Sequence, residues 1–275
     1  MNGKLMAMKY LSRAVQRVLG AGALGAVLFL GACAGSNPGG SSEASIAGTV
    51  ASETTSANVR HVGFLTDYAR LRPMPGGGGL LCWRATDTDW AQYNKVMFER
   101  IQVYLATGTS KPVDPTDLKM LIDYFHKDLV ADIQPLAQVV NVAGPGVLRV
   151  RFALTNLVPT NTTASLVGSA APYGFVAEIG SGAADGKPAG STPYLGQTGM
   201  EVQFRDGASG KIVAECADTE IGVKYAADMN AGATGAAETW VNGYMDSFKQ
   251  WTYAKNAFDK WATEFAQRFA QLRNG

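Results

Sequence analysis

From residue 113 onward the apolar positions follow two different rhythms. "VDPTDLKMLIDYFHKDLVADIQPL", Val113 to Leu136, carries Leu118, Leu121, Ile122, Phe125, Leu129, Ile133 and Leu136 at spacings of three and four. That spacing predicts an amphipathic helix. Asp114 is placed to cap it, Pro115 suits its first position and Pro135 should end it. "GPGVLRVRFALTNLV" alternates instead, with Leu148, Val150, Phe152 and Leu154 on one side and Arg149, Arg151, Ala153 and Thr155 on the other. It predicts a strand entered through a turn at Gly144-Pro145-Gly146. "GMEVQFRDGASGKIVAECADTEIG" predicts a hairpin. Met200, Val202 and Phe204, then Ile212, Ala214 and Cys216, form its core face, and Asp206-Gly207 with Ser209-Gly210 supply the turn.

Two further elements flank these. "YNKVMFERIQVYL", Tyr93 to Leu105, is rich in β-formers and reads as a strand with Met97, Ile101, Val103 and Leu105 on one face. From Glu238 to Leu272, Tyr244, Phe248, Trp251, Phe258, Trp261, Phe265, Phe269 and Leu272 form an aromatic stripe at helical spacing, in one helix or two in succession. Such a stripe is a binding face or, more commonly, core, because each aromatic buries about 150–250 Å². "GFLTDYARL" reads as a turn of helix or an irregular lead-in, and "RPMPGGGGL" as a loop. No Gly-Lys-Ser/Thr follows those glycines, so they do not make a phosphate loop. Pro159 to Pro193 is a long loop in which "YGFVAEIG" reads as a short helix. The elements run in β-α-β-β-β-α order. We expect an α+β fold, a mostly antiparallel sheet with two long helices packed on one face.

The amino end follows other rules. Lys4, Lys9, Arg13 and Arg17 precede the first acid, Glu43, and an apolar run from Val18 to Leu30 follows the bases. At about a dozen residues the run is too short for a membrane-spanning helix, and it has the make-up of a secretory signal. It ends Leu30-Gly31-Ala32-Cys33, an aliphatic residue and two small ones before a cysteine, which is a lipobox. The chain is expected to be cut before Cys33, whose thiol carries a diacylglycerol. Ala34, where an Asp would favour the inner membrane, points to the outer membrane and a periplasm-facing domain. Residues 1–32 are therefore assigned to the signal, 33–58 to the lipidated Cys and a flexible Gly/Ser/Ala/Thr tether, and 59–275 to one domain.

Charge narrows the partners. The chain has 24 Lys+Arg and 23 Asp+Glu, and loss of the signal would leave 20 bases against 23 acids. A weakly acidic body is a poor match for nucleic acid. The membrane, through Cys33, and an unidentified envelope protein are the partners expected.

Little in the folded part suggests chemistry. His61 and His126 are the only histidines, and His126 should face solvent on its helix. Zinc usually needs three or four ligands, and two scattered His with two Cys in unlike contexts do not assemble them. No cofactor or metal is expected. Asp218 and Glu220, two apart on a strand, share a face; they are a paired-carboxylate candidate or, more commonly, acids on an exposed face. Arg149 and Arg151 share a strand face and could hold an anion, unless Glu201 and Glu215 on neighbouring strands neutralise them. Cys82 and Cys216 are either a disulfide pinning the lead-in onto the sheet or two buried thiols.

"GFLTDYARL", "WRATDTDWAQYNKVM", "GPGVLRVRFALT", "EVQFRDGASGKIVAECAD" and "WATEFAQRF" occur in that order behind the lipobox. As an ordered set they resemble the bacterial putative-lipoprotein family of domain of unknown function 3313. Gly207-Ala208-Ser209-Gly210 departs from that family's usual Thr-Gly turn. The resemblance implies an envelope lipoprotein and carries no reaction or catalytic residues. Three functions are consistent with these features. The first is a non-enzymatic accessory component of an envelope assembly or transport system. The second is a small-molecule or lipid carrier with a pocket between helices and sheet. The third, an enzyme such as a hydrolase, ranks last. A deep apolar pocket would favour the carrier and a flat apolar patch the assembly component.

Overall fold

The structure, a computed structural model, describes residues 46–47, 50–52, 54, 59–76, 78–105, 113–165, 184, 187–188, 191–192, 194–223, 241, 245 and 249–275. All belong to one compact unit, Ser41–Gly275. The signal, Cys33, "YGFVAEIG", Tyr244 and Phe248 lie outside the described residues.

Among the described residues, ten strands form one sheet. They are β1 (Ile46–Ala47), β2 (Val50–Ser52), β3 (Arg72–Pro73), β4 (Leu81–Arg84), β5 (Lys95–Phe98), β6 (Gln102–Tyr104), β7 (Gln138–Val139), β8 (Val147–Val158), β9 (Gln197–Asp206) and β10 (Ile212–Gly222). Helix α1 (Pro115–Ile133) precedes β7, and α2 (Thr252–Asn274) follows β10. The main path is β1-β2-β10-β9-β8-β5-β7, with β4 also beside β10, β3 beside β4 and β6 beside β8.

The class is α+β, but the sheet is mixed rather than mostly antiparallel. β5 runs parallel to β7 and β8, and β6 parallel to β8. The reason is the helix. α1 carries the chain back along the sheet between β5/β6 and β7/β8, and such a crossover makes the strands it joins parallel. The expected β-α-β-β-β-α order is also corrected, since six short strands precede α1. The strand expected over Tyr93–Leu105 is two strands broken at Glu99–Ile101, and Val96 rather than Met97 is its fully buried residue.

Local signals hold elsewhere. The Asp114 carboxylate accepts from the Thr116 amide at 2.7 Å, and α1 buries Leu121, Phe125, Leu129 and Ile133 before stopping ahead of Pro135. The Asp206 carboxylate closes the β9–β10 turn by accepting from the Ser209 amide and hydroxyl. A bulge between Ile212 and Ala214 interrupts the alternation, and Val213 joins the core in place of Ile212. Of the aromatic stripe, Trp251, Phe258, Trp261 and Phe269 are buried in the core, with Phe265 and Leu272 packed against it.

Both helices cover one face of the sheet, where Phe125 packs on Phe152, Phe258 and Trp261. The outer face is covered too. The lead-in folds over it, with a 3-10 turn at Tyr68–Arg70 capped by Asp67, and packs Phe64, Leu65 and Leu71 on Ala153 and Ala217. Val50–Ser52, within the stretch assigned to the tether, form β2 and pair with Glu220–Gly222 of β10.

Cys82 and Cys216 stand opposite each other on β4 and β10, with Cα atoms 4.1 Å apart and an S–S bond of 2.05 Å. The bridge therefore joins two neighbouring strands, not an irregular lead-in and the sheet. It closes a span of 134 residues, so the Cys82→Ala/Cys216→Ala variant should lose about 2–4 kcal/mol. Urea melts measure the loss, and a thiol count on unreduced, denatured protein should find neither cysteine free.

Candidate functional site

A cavity of about 680 Å³ opens between the carboxyl-terminal half of α2, the β3–β4 hairpin and the helix face of the sheet. Its size falls within the range of about 300–1,000 Å³ for small-molecule pockets. Phe152, Met200, Val202, Phe204, Phe265 and Phe269 supply much of its apolar wall, and the Cys82–Cys216 bridge lies in that wall as well. Arg72, Arg84 and Arg268 are the basic lining side chains and Glu264 the acidic one. Arg268 Nη2 donates to Gly76 O at 3.0 Å, whereas Arg84 is exposed and has no acceptor or acid among the described residues.

Beside the cavity lies a closed charge network. Lys260 of α2 is 8% exposed, and Asp218 and Glu220 are 2% and 1% exposed. The Lys260 ammonium donates to Glu220 Oε1, to Asp218 Oδ2 at 3.3 Å and to Gly78 O at 2.9 Å. Asp218 Oδ1 accepts from Ser52 Oγ at 2.8 Å and Thr54 Oγ1 at 2.5 Å, and Oδ2 accepts from Trp261 Nε1 at 2.9 Å. The glycine loop serves this network. Gly79 has φ +97°, and a Cβ there would meet Ser52 Oγ at 2.0 Å. Burial alone would depress Lys260, but Asp218, Glu220 and Glu264 hold it well above the usual lysine value. Burial pushes Asp218 up, and Lys260 with the Thr54 and Trp261 donors brings it below the usual carboxylate range. Glu220 stays well above that range through burial and the neighbouring Asp218 charge. Asp218 and Glu220 are thus not acids on an exposed face but buried partners of Lys260.

The outer face holds a second group of charges. Arg149 Nε and Nη2 donate to Glu99 Oε1 at 2.9 and 2.5 Å. Arg151 donates to Gln203 Oε1 at 2.6 Å and lies 3.3 Å from Glu99 Oε2. Glu99 and Gln203 are therefore their partners, in place of the expected Glu201 and Glu215. Glu215 accepts from the Thr66 amide and hydroxyl and from Arg70. Glu201 accepts from Tyr68 Oη at 2.8 Å. Burial pushes the Glu201 carboxyl up to about 7, against the pull of Tyr68 and the Val62 and Leu65 amides. Burial, then Glu201, raises the Tyr68 phenol to about 12.

Neither histidine has a hydrogen bond or ion pair to either group among the described residues. His126 is exposed on α1, edge-on to Phe98, and His61 is exposed and stacks on Tyr68 at 4.1 Å. Among the described residues no three His, Cys, Asp or Glu side chains come together as a metal site. Sequence reasoning missed Lys260. Its signal was present: a lysine on the stripe of Tyr253 and Ala257, at spacings of seven and three, can only be buried with a carboxylate for company.

Fold and site together define an α+β domain with a mixed sheet that carries an apolar cavity on its helix face. The chain belongs to the family described as "Protein of unknown function (DUF3313)", whose model matches residues 60–265. No curated protein matches it. Among solved structures it is similar to a PelC dodecamer from Paraburkholderia phytofirmans, at 10% identity over 60% of this chain and 96% of that one, TM-score 0.28. A DUF4136 family protein from Bacteroides thetaiotaomicron VPI-5482 matches at 11% identity over 61% of this chain and 94% of that one, TM-score 0.24. A DUF330 protein from Xanthomonas campestris matches at 11% identity over 62% and 91%, TM-score 0.27. At such TM-scores these likenesses carry no argument about function.

Two stability predictions follow from the charges. Lys260→Met strands two buried carboxyl groups and should cost about 3–5 kcal/mol, and adding Asp218→Asn and Glu220→Gln should recover more than half of it. Urea melts of the three variants measure both effects. Glu201 binds its proton more tightly in the folded chain than at its ordinary value of 4.5. Its contribution to stability is complete below about 4.5 and is lost as the pH rises through about 7. Glu201→Gln should therefore raise the thermal midpoint near pH ~8 and leave it nearly unchanged near pH ~5. Equal shifts at both would mean that Glu201 does not titrate in this window.

Proposed function

We propose that this protein is a lipid-anchored, non-enzymatic envelope lipoprotein whose folded domain binds an apolar small molecule or lipid chain under α2. The cavity of about 680 Å³, walled by aromatic and aliphatic side chains, is the observation that carries this reading. An apolar cavity left to water forgoes burial worth about 25 cal/mol per Å², which an apolar ligand regains. The lipobox at Leu30–Cys33 supports the anchor, and Ala34 supports the outer membrane, facing the periplasm. The Cys82–Cys216 bridge fits that address, because disulfides persist in oxidising compartments. An accessory role in an envelope assembly is less well supported. The exposed large apolar residues among those described, such as Leu105, Met120 and Val142, come from separate parts of the chain.

A neutral apolar dye such as N-phenylnaphthylamine should bind and fluoresce with about one site per chain. Ala85 lines the cavity and is only half-buried, so Ala85→Trp should obstruct it and weaken dye binding about tenfold without lowering the thermal midpoint. Binding that is absent, or indifferent to Ala85→Trp, would remove the carrier reading. In cells, Cys33→Ala should leave an unprocessed or soluble form, and fractionation with intact-mass measurement checks this.

A further inference from the structure

On the sheet face away from the cavity, two arginines pair with one acid, and a third arginine stands beside them. Arg149 and Arg151 are two apart on β8 and share a face. Arg205 of β9 stands directly opposite Arg149, a like-charged cross-strand pair. Such pairs destabilise a sheet unless something neutralises them. Glu99 is the one carboxylate within ion-pair distance of this trio among the described residues, which leaves two positive charges unmatched. Glu215, two residues further into the sheet face, is already paired with Arg70.

The trio is also held in place. Gln203, fully buried, accepts from Arg151 Nη1 and Arg205 Nε, each at 2.6 Å, through the same amide oxygen. Its own amide nitrogen donates to Glu215 Oε1 at 2.6 Å, which fixes which way the amide points. The guanidiniums thus reach the surface on a rigid base. The Arg149 and Arg151 side chains are 29% and 22% exposed, and Arg205 is half-buried with both terminal nitrogens free of acceptors among the described residues. Burial, then Arg151 and Arg149, holds Arg205 below the usual guanidinium value.

We infer that Arg149, Arg151 and Arg205 form a binding site for a phosphomonoester on the outer face of the sheet, separate from the apolar cavity. A phosphomonoester carries about two negative charges near neutral pH, which matches the unpaired charge. Its oxygens accept the forked donors that arginine presents. Preorganisation by Gln203 removes much of the ordering cost of binding. The source is a lipid headgroup of this type or a soluble phosphate.

The test uses residues 33–275 with Cys33→Ser, compared with the same chain carrying Arg205→Gln or Arg205→Lys. Inorganic phosphate should raise the midpoint of the first by about 5 °C more than that of Arg205→Gln, against chloride at equal ionic strength. The difference between the chains is the readout, because phosphate stabilises folded proteins in general. In chloride alone Arg205→Gln should melt no lower than its parent, since it loses a repelled charge. Arg205→Lys keeps the charge without the fork and should bind about tenfold more weakly. Co-sedimentation with phosphatidylcholine vesicles containing phosphatidic acid assigns the source. Binding to vesicles with no response to free phosphate names the lipid headgroup, and the reverse names a soluble phosphate. No binding in either arm, or equal binding by parent and Arg205→Gln, overturns the site.

Discussion

Strand β10 is buried along its whole length from Val213 to Gly222, although it includes Glu215, Asp218, Thr219 and Glu220. A charged or polar group shut away from water costs several kcal/mol unless it finds partners inside the protein. Much of the surrounding structure answers that requirement. On the helix face, Asp218 and Glu220 draw in Lys260 and Trp261 from α2 and Ser52 and Thr54 from the amino-terminal segment. On the outer face, Glu215 draws in Thr66 and Arg70 of the lead-in. Cys216 adds a covalent tie to β4 between these polar positions. Segments far apart in the chain are held where β10 needs them.

The same anchoring shapes the cavity. Lys260 and Trp261 fix the middle of α2 against β10 and the glycine loop. The next turns, with Glu264, Phe265, Arg268 and Phe269, stand along the cavity wall opposite β4. The two faces of the sheet then differ in character. One holds aromatic side chains around an open space, and the other holds arginines set on a buried glutamine.

Much of the fold was legible along the chain. The cap at Asp114, the stop at Pro135, the β9–β10 turn and the burial of Trp261 and Phe269 depend on neighbours within a few residues, and short-range rules capture such neighbours. The mixed sheet was half legible. A helix between strands already implies a crossover, but the break at Glu99–Ile101 and the short edge strands carry weak patterns. The outer face was misread for a different reason. Alternation separates two faces of a strand without revealing that a distant lead-in covers Glu201 and Glu215 on the outer one, or that Lys260 covers Asp218 and Glu220 on the helix face.

Membership in the DUF3313 family, two helices on an α+β sheet and the lipobox signature all follow from residue order, because each rests on local spacing. Which carboxylate meets Lys260, which partner restrains Arg149 and Arg151, and where the cavity opens depended on long-range packing. Lys260 lies 42 residues from Asp218, and Arg151 lies 52 from Gln203. Contacts across such distances are chosen by burial, where an unpaired charge is too costly to leave, and no periodicity in the chain records that choice.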